Sequence, residues 1–529
     1  MKESKFNLLY EPWIRVMDPH GHITEVSIFE VLLNAQNYKK LAGETETQNA
    51  PVLRILEAIM MTAVYRYDEN GNDALLEDEN EAFERWSKIW KAGHVPEKMI
   101  KKYLELYKNR FWLIDEKYPF MQSPRAKIGT DYKTSKLIGE LSESNNKTRL
   151  FQSRAGIGKE YLSAGEATRW LLFVNAYDDT SAKAKQKGLP SPGAGWLGQI
   201  GQIYAAGDNL FQTLMLNLVL SDNGELWDDP TPSWEQELRE GERTEIAPPS
   251  NPAALYTIAS RRLLLKWQGD QVVGYTSLGG DFFNKDNFFV ETNTAYRIDK
   301  KSKSAAVYLP KKTDPSKQMW RNFRNLFVET EVEENRLPGV VKWIHALQEE
   351  QILDEDQTIT FETCSVQYGD KCFFINDLTG DSIQMNSSVL SDKNWYWKDM
   401  IERTVSLCEK VADSAGYCKR NLAISNGITS PDVLKKERNV GKEEMYAKLD
   451  FPIRTWLSQL DPHTQEWQDE FESFKKVIQK SAWEICAEWS SSYSMSSLEG
   501  RLFEVVHYSL PESISRFKGS IVNNLKGGN

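Results

Sequence analysis

A chain of 529 residues with 40% hydrophobic and 27% charged side chains is long enough for two or more domains, each burying its own core. Its formal net charge of −11 excludes a protein that coats nucleic acid unaided, although it permits contact through one local patch. Five scattered cysteines without a CxxC pair exclude a disulfide framework, and no run approaches the ~18 apolar residues of a membrane span.

In chain order, Met1-Lys-Glu-Ser-Lys-Phe6 lacks the apolar core of a signal peptide, so the chain is expected in the cytoplasm. Residues 6–16 alternate, and 22–26 form a second short run after the turn at Asp18-Pro19-His20-Gly21, which predicts a hairpin. Ser27, with Glu30 three residues on, is a capping box for a helix to about Asn34. From 50 to 67, apolar Val52, Ile55, Leu56, Ile59 and Ala63 recur at helical spacing, with Pro51 in the first turn. Amphipathic helices are predicted at 83–91 and 98–107, and a helix-like segment at 161–177. A lysine- and glycine-rich loop follows, and then an apolar segment at 209–220. Strand, turn and strand are read at 261–267, 268–270 and 271–275. Another hairpin is predicted from 358–367 and 372–376, around Tyr368-Gly369-Asp370-Lys371. Beyond about Met385 the pattern is helical, at 394–415, 443–459, 464–489 and 498–526, which predicts a bundle. The expected fold class is α+β: a mixed α/β N-terminal domain over 1–385 and a C-terminal four-helix bundle over 386–529.

Charge is uneven along the chain. From 125 to 159 there are eight Lys/Arg against three Asp/Glu, and from 297 to 324 nine against two. Within the first stretch, Lys147, Arg149, Arg154 and Lys159 bracket the aromatic Phe151 in a polar, glycine-dotted segment, 142–159. Phosphate contacts plus one stacking ring are a minimal kit for single-stranded nucleic acid, and a plain surface loop is the competing reading. Gly193-Ala-Gly195-Trp-Leu-Gly198 matches GxGxxG, but no apolar strand precedes it and no acidic residue stands where a ribose partner belongs. What its glycines supply is backbone that can approach another molecule closely. There is no GxxxxGK[ST] phosphate loop, GxSxG elbow or HExxH pattern, so neither an enzyme nor a bound metal or cofactor is expected.

Several motifs in order resemble the CasA family, the large subunit of the type I-E CRISPR surveillance complex Cascade. They are Asn7-Leu-Leu-Tyr-Glu-Pro-Trp-Ile14, Tyr118-Pro-Phe-Met-Gln122, Gly165-Glu-Ala-Thr-Arg-Trp-Leu-Leu172, Gly193-Ala-Gly-Trp-Leu-Gly198 and Asp208-Asn-Leu-Phe-Gln-Thr-Leu-Met-Leu-Asn-Leu218. Ser260-Arg-Arg262 and Thr294-Ala-Tyr-Arg297 also fit. The resemblance implies a non-catalytic subunit, set among other Cascade subunits at the guide RNA 5′ end. Such a subunit inspects double-stranded target DNA for the short PAM, helps open it, and displays the displaced strand to a recruited helicase-nuclease.

It also implies site residues. The guide- and DNA-contacting loop is similar to 142–159, with Lys147, Arg149, Phe151, Gln152, Arg154 and Lys159. The glycine loop that approaches the PAM minor groove resembles 192–198, with Gly193, Gly195 and Gly198, and Trp196 interrupts what is a purer glycine run in some relatives. The PAM-reading lysine corresponds to Lys285, the one lysine between Lys266 and Lys300. The duplex wedge looks like Tyr368, Gly369, Asp370 and Lys371, where some relatives carry a glutamine. Two alternatives stand beside this reading: a nucleotide-binding enzyme using the glycine loop, and a pure protein scaffold.

Overall fold

The structure, a computed structural model of the chain, describes residues 6–143, 148–181, 188–238, 243–299, 306–329, 335–492 and 495–526. It divides into two compact units. One comprises Met1–Ser316, Glu329–Leu353 and Thr360–Ser382, and the other Lys317–Val328, Asp354–Ile359 and Ile383–Asn529.

In the first unit, strands Ile14–Met17 and Ile23–Val26 form the expected hairpin, with Ile14 opposite Val26. The alternation before Ile14 does not become a strand. Asn7 accepts the Leu9 amide on its side chain at 3.0 Å, and its carbonyl takes the amides of Tyr10 and Glu11, so the chain turns there instead. Ser27 caps the Ile28–Leu33 helix by accepting from the Glu30 amide, as its spacing predicts. The long helix starts a turn earlier than its apolar pattern implies, at Glu46–Arg66, because Thr45 caps it. Pro51 therefore sits inside the helix, and burial on nearly every face from Thr47 to Val64 outweighs the lost backbone bond.

Strands Arg261–Gln268 and Gln271–Gly279 pair antiparallel with a bulge between Lys266 and Trp267, and Thr130–Lys133 adds to the far side of the second. Another sheet places Thr358–Tyr368 between Tyr204–Ala206 and Ile375–Asn386. The helix Ala164–Tyr177 is buried from Ala167 onward, and Leu210–Asn217 is capped by Asn209. Both are apolar on most faces, and the sequence reads accordingly.

The second unit is built on four long helices, Trp395–Ser425, Pro431–Gln459, Trp467–Ser492 and Leu510–Lys526, with the first packed against each of the others. One expectation fails here. The stretch 498–526 is not a single helix: Met495–Glu499 ends at Gly500, and a hairpin of Arg501–Phe503 and Val506–Tyr508 intervenes. Gly500 lies at φ +73°, and a Cβ on it would come within 2.3 Å of the Tyr508 carbonyl. Trp320 joins this unit through its indole N–H, which donates to Asp450 at 2.8 Å.

Candidate nucleic-acid interface

The glycine loop rests on the C-terminal end of the Ala164–Tyr177 helix. The Gly195 amide donates to the Asp178 carbonyl at 2.9 Å, and a Cβ on Gly195 would lie 2.3 Å from the Ala176 carbonyl oxygen. Glycine is therefore required there so that two backbones of the same chain can touch. Trp196 turns inward. Its ring centroid lies 5.1 Å from Phe283 and 5.8 Å from Phe288, and its N–H donates to Glu291 at 2.6 Å. Glu291 also accepts two bonds from Arg54, at 2.9 and 2.8 Å, which satisfies a fully buried carboxylate.

A 3-10 turn, Trp196–Gln199, follows in place of a dinucleotide-binding helix. Ala194 to Leu197 are buried, whereas Gly193 is exposed, with its carbonyl held by Arg261 at 2.6 Å. A Cβ on Gly193 would come no nearer than 3.9 Å to Gln199. The expectation that these glycines free backbone for another molecule therefore narrows to Gly193. Gly195 is filled by the helix end and Gly198 by Tyr368, whose hydroxyl would lie 2.0 Å from an added Cβ.

Lys285 lies beside this loop. Its ammonium donates to the Gln199 side chain, and Gln199 in turn donates to the Ala194 carbonyl at 2.6 Å. Burial, reinforced by repulsion from Lys312, holds the Lys285 ammonium below the ordinary lysine range. Gln199 escaped the sequence reading because nothing local distinguishes it; its partners are a loop carbonyl and a lysine 86 positions away.

The hairpin turn is where its sequence places it, but its side chains divide. Tyr368 points into the protein and donates its hydroxyl to the Tyr177 carbonyl at 2.6 Å, so it is not the projecting tip. Burial pushes its phenol well above the usual range, so that hydroxyl keeps its proton and stays a donor. Asp370 and Lys371 are exposed, Gly369 is half-buried, and Phe373 is 45% exposed. Lys371 and Cys372 sit at φ +53° and +59°, a region that L-residues rarely occupy. Thr180 holds this strained turn, its amide donating to the Cys372 carbonyl and its hydroxyl to the Lys371 carbonyl, both at 2.9 Å.

In the basic loop, Phe151 is 93% exposed, as is Leu150 beside it. The cations around it are engaged. Arg149 donates to the Leu141 carbonyl at 2.9 Å and to the carbonyls of Asn376 and Ile375 at 3.2 Å. Arg154 pairs with Glu166, and Lys159 with Glu143 at 2.8 Å and with Gln152. Burial works to raise the Glu143 carboxyl, but Lys159 and the Arg149 amide outweigh it and leave it below the usual range. Lys147 lies outside the described residues. Four segments distant in sequence are thus tied together: Arg149 to the hairpin, Tyr368 to Gly198, Gln199 to Lys285, and Arg261 to Gly193.

Among the described residues, no three His, Cys, Asp or Glu side chains are placed to hold a metal. Burial pushes the Cys364 thiol up to about 12, too high for a nucleophile at neutral pH. Among the described residues, no helix is long and apolar enough to cross a membrane.

Residues 7–485 match a family model described as CRISPR-associated protein Cse1. A curated relative from Thermus thermophilus, CRISPR-associated protein CasA/Cse1, is 28% identical over 327 residues. That match spans 60% of this chain and 60% of the Thermus protein, under two thirds of the relative's length. The crystal structure of Thermobifida fusca Cse1 is similar with a TM-score of 0.81 at 24% identity, covering 99% of this chain and 98% of that one. A chain of a CRISPR RNA-guided surveillance complex is similar with a TM-score of 0.68 at 16% identity, covering 98% and 99%. At these identities the two structures speak to the fold.

Proposed function

The chain belongs to the CRISPR-associated Cse1 family, and we propose that it is the non-catalytic large subunit of a type I-E RNA-guided surveillance complex, Cascade. In this reading it sits among the other Cascade subunits at the guide RNA 5′ end. It inspects double-stranded target DNA for the PAM, helps open the duplex, and offers the displaced strand to a recruited helicase-nuclease. The likeness to a chain of a surveillance complex supports the assembly.

The observation that carries the reading is the convergence of the four candidate segments in one unit. Exposed Phe151 offers a ring for stacking on a guide or target base. Gly193 is the one glycine of the loop whose backbone is open to a groove, and Lys285 stands beside it through Gln199. The minor groove offers a degenerate pattern of acceptors, so a peptide group and a lysine suffice for a short, permissive signal. Asp370, Lys371 and Phe373 at the hairpin tip are the side chains available to separate base pairs. Guide pairing then supplies sequence specificity, which leaves little need for a basic protein.

The test is a mobility-shift assay of the guide complex with and without this chain, on duplexes differing only beside the target. Tighter binding to one flanking sequence, present only with the chain, is expected. Complex assembly without any flank preference would leave a scaffold as the better reading. Against the nucleotide-enzyme alternative, two of the three motif glycines are filled by protein atoms, and nucleotide binding by the isolated chain would favour it.

A further inference from the structure

Tyr368 stands between the two parts of the site that must act in sequence. Its hydroxyl donates to the Tyr177 carbonyl at 2.6 Å, at the end of the helix on which the glycine loop rests. Gly198 faces the same phenol, and an added Cβ there would lie 2.0 Å from the hydroxyl oxygen and 2.9 Å from Cζ. One end of the glycine loop is therefore a socket shaped by the ring. Thr180, three residues beyond Tyr177, fixes the strained Lys371–Cys372 turn from the other side through two hydrogen bonds of 2.9 Å. The same helix end thus meets both the hairpin and the loop, beside the pairing of Tyr204–Ala206 with the hairpin strand.

Resting on the reading above, we infer that Tyr368 and Gly198 form a peg and socket that locks the hairpin tip to the glycine loop, so that engagement of the loop by the duplex is transmitted to the tip that opens it. Tyr368 is a positioning residue: its hydroxyl is committed to Tyr177 and its ring to Gly198, and neither is free for DNA. Gly198 is glycine to admit the phenol, not to approach a base. The lock requires no chemistry and no bound group. It requires that the ring and its hydrogen bond survive while the duplex pushes on the tip.

The experiment uses the full chain in its guide complex, with Tyr368→Phe, Tyr368→Ala, Gly198→Ala and the Tyr368→Ala/Gly198→Ala double variant. Binding is measured to a closed duplex and to one already unpaired beside the flanking signal, and the melting midpoint of the chain alone is recorded. Tyr368→Phe is expected to weaken binding to the closed duplex about fivefold, the net worth of one hydrogen bond, and to leave the pre-opened duplex within about twofold. Gly198→Ala is expected to lose more on the closed duplex, and most of that loss is expected to disappear in the Tyr368→Ala background, because the clash is gone. Additive effects, or equal losses on both duplexes, overturn the lock while leaving the flank preference intact. A wild-type complex without flank preference overturns the functional reading and the inference with it.

Discussion

Trp196 gives the sharpest test of where the glycine loop ends and the core begins. If the indole is a structural peg, Trp196→Phe keeps the aromatic contacts with Phe283 and Phe288 and removes one donor, the N–H that reaches Glu291 at 2.6 Å. A hydrogen bond to a charged group is worth ~1.5–3 kcal/mol, and Glu291 is fully buried, with Arg54 and the Asn293 amide left to balance it. For a unit of this size, ~1 kcal/mol moves the melting midpoint by about 1–2 °C, so a fall of about 2–4 °C is expected. Scanning calorimetry of the chain reads it directly. Binding of the guide complex to its preferred duplex, measured well below the midpoint, is expected to stay within about twofold. The reasoning is refuted if the midpoint holds while binding collapses, because the indole would then be spending its N–H on DNA.

Phe151→Ala is expected to leave the midpoint unchanged, since the ring is 93% exposed, and to cost the guide complex ~1–3 kcal/mol of nucleic-acid affinity in a titration. Glu57, 2% exposed with neither carboxyl oxygen partnered, has its pKa raised well above the usual value by burial. The folded chain therefore holds a proton that the unfolded chain releases, and stability falls as pH rises above ~4.5, by at most ~1.4 kcal/mol per unit from this group. Melting midpoints of wild type and Glu57→Gln at pH 5 and pH 8 check it: the variant's advantage is expected to grow toward pH 8. Arg149, Lys285 and Lys371 have no carboxylate within 4 Å among the described residues, whereas Arg154 and Lys159 do. Replacing the first three with Gln is expected to flatten the salt slope of duplex binding by up to about 3, and replacing Arg154 and Lys159 to change it little.

What was readable in the sequence follows the range of the interactions involved. The existence of the hairpin was legible because its turn residues and flanking alternation are local signals, but its second strand runs Ile375–Asn386, not 372–376. The bundle did so through long helical periods. Where a side chain overrode the pattern, the reading slipped: Asn7 bent a would-be strand, Thr45 lengthened a helix, and Gly500 opened a hairpin inside another. The links among the site's segments were invisible for the same reason in reverse. Arg261 meets Gly193 across 68 positions, Tyr368 meets Tyr177 across 191, and Arg149 meets Asn376 across 227. The three glycines of GxGxxG are identical letters with different duties, and only their neighbours separate Gly193 from Gly195 and Gly198.

The acidic balance of the chain and its proposed work on DNA are reconciled by where the cations point. Arg154 and Lys159 face Glu166 and Glu143, and Lys136 is buried against Asp179. Arg149 serves three carbonyl oxygens, which keeps its charge but fixes its position. The carboxylate-paired cations hold loops in shape more than they collect phosphates. A surface that attracted DNA strongly on its own would bind every duplex, because phosphate contacts carry no sequence information. In the proposed reading, the placement of Gly193, Lys285 and the hairpin tip favours instead a check made at short range after other subunits have brought the duplex in. Discrimination then depends on the fit of a few groups, and fit is what the buried ties to Arg261, Gln199 and Tyr368 secure.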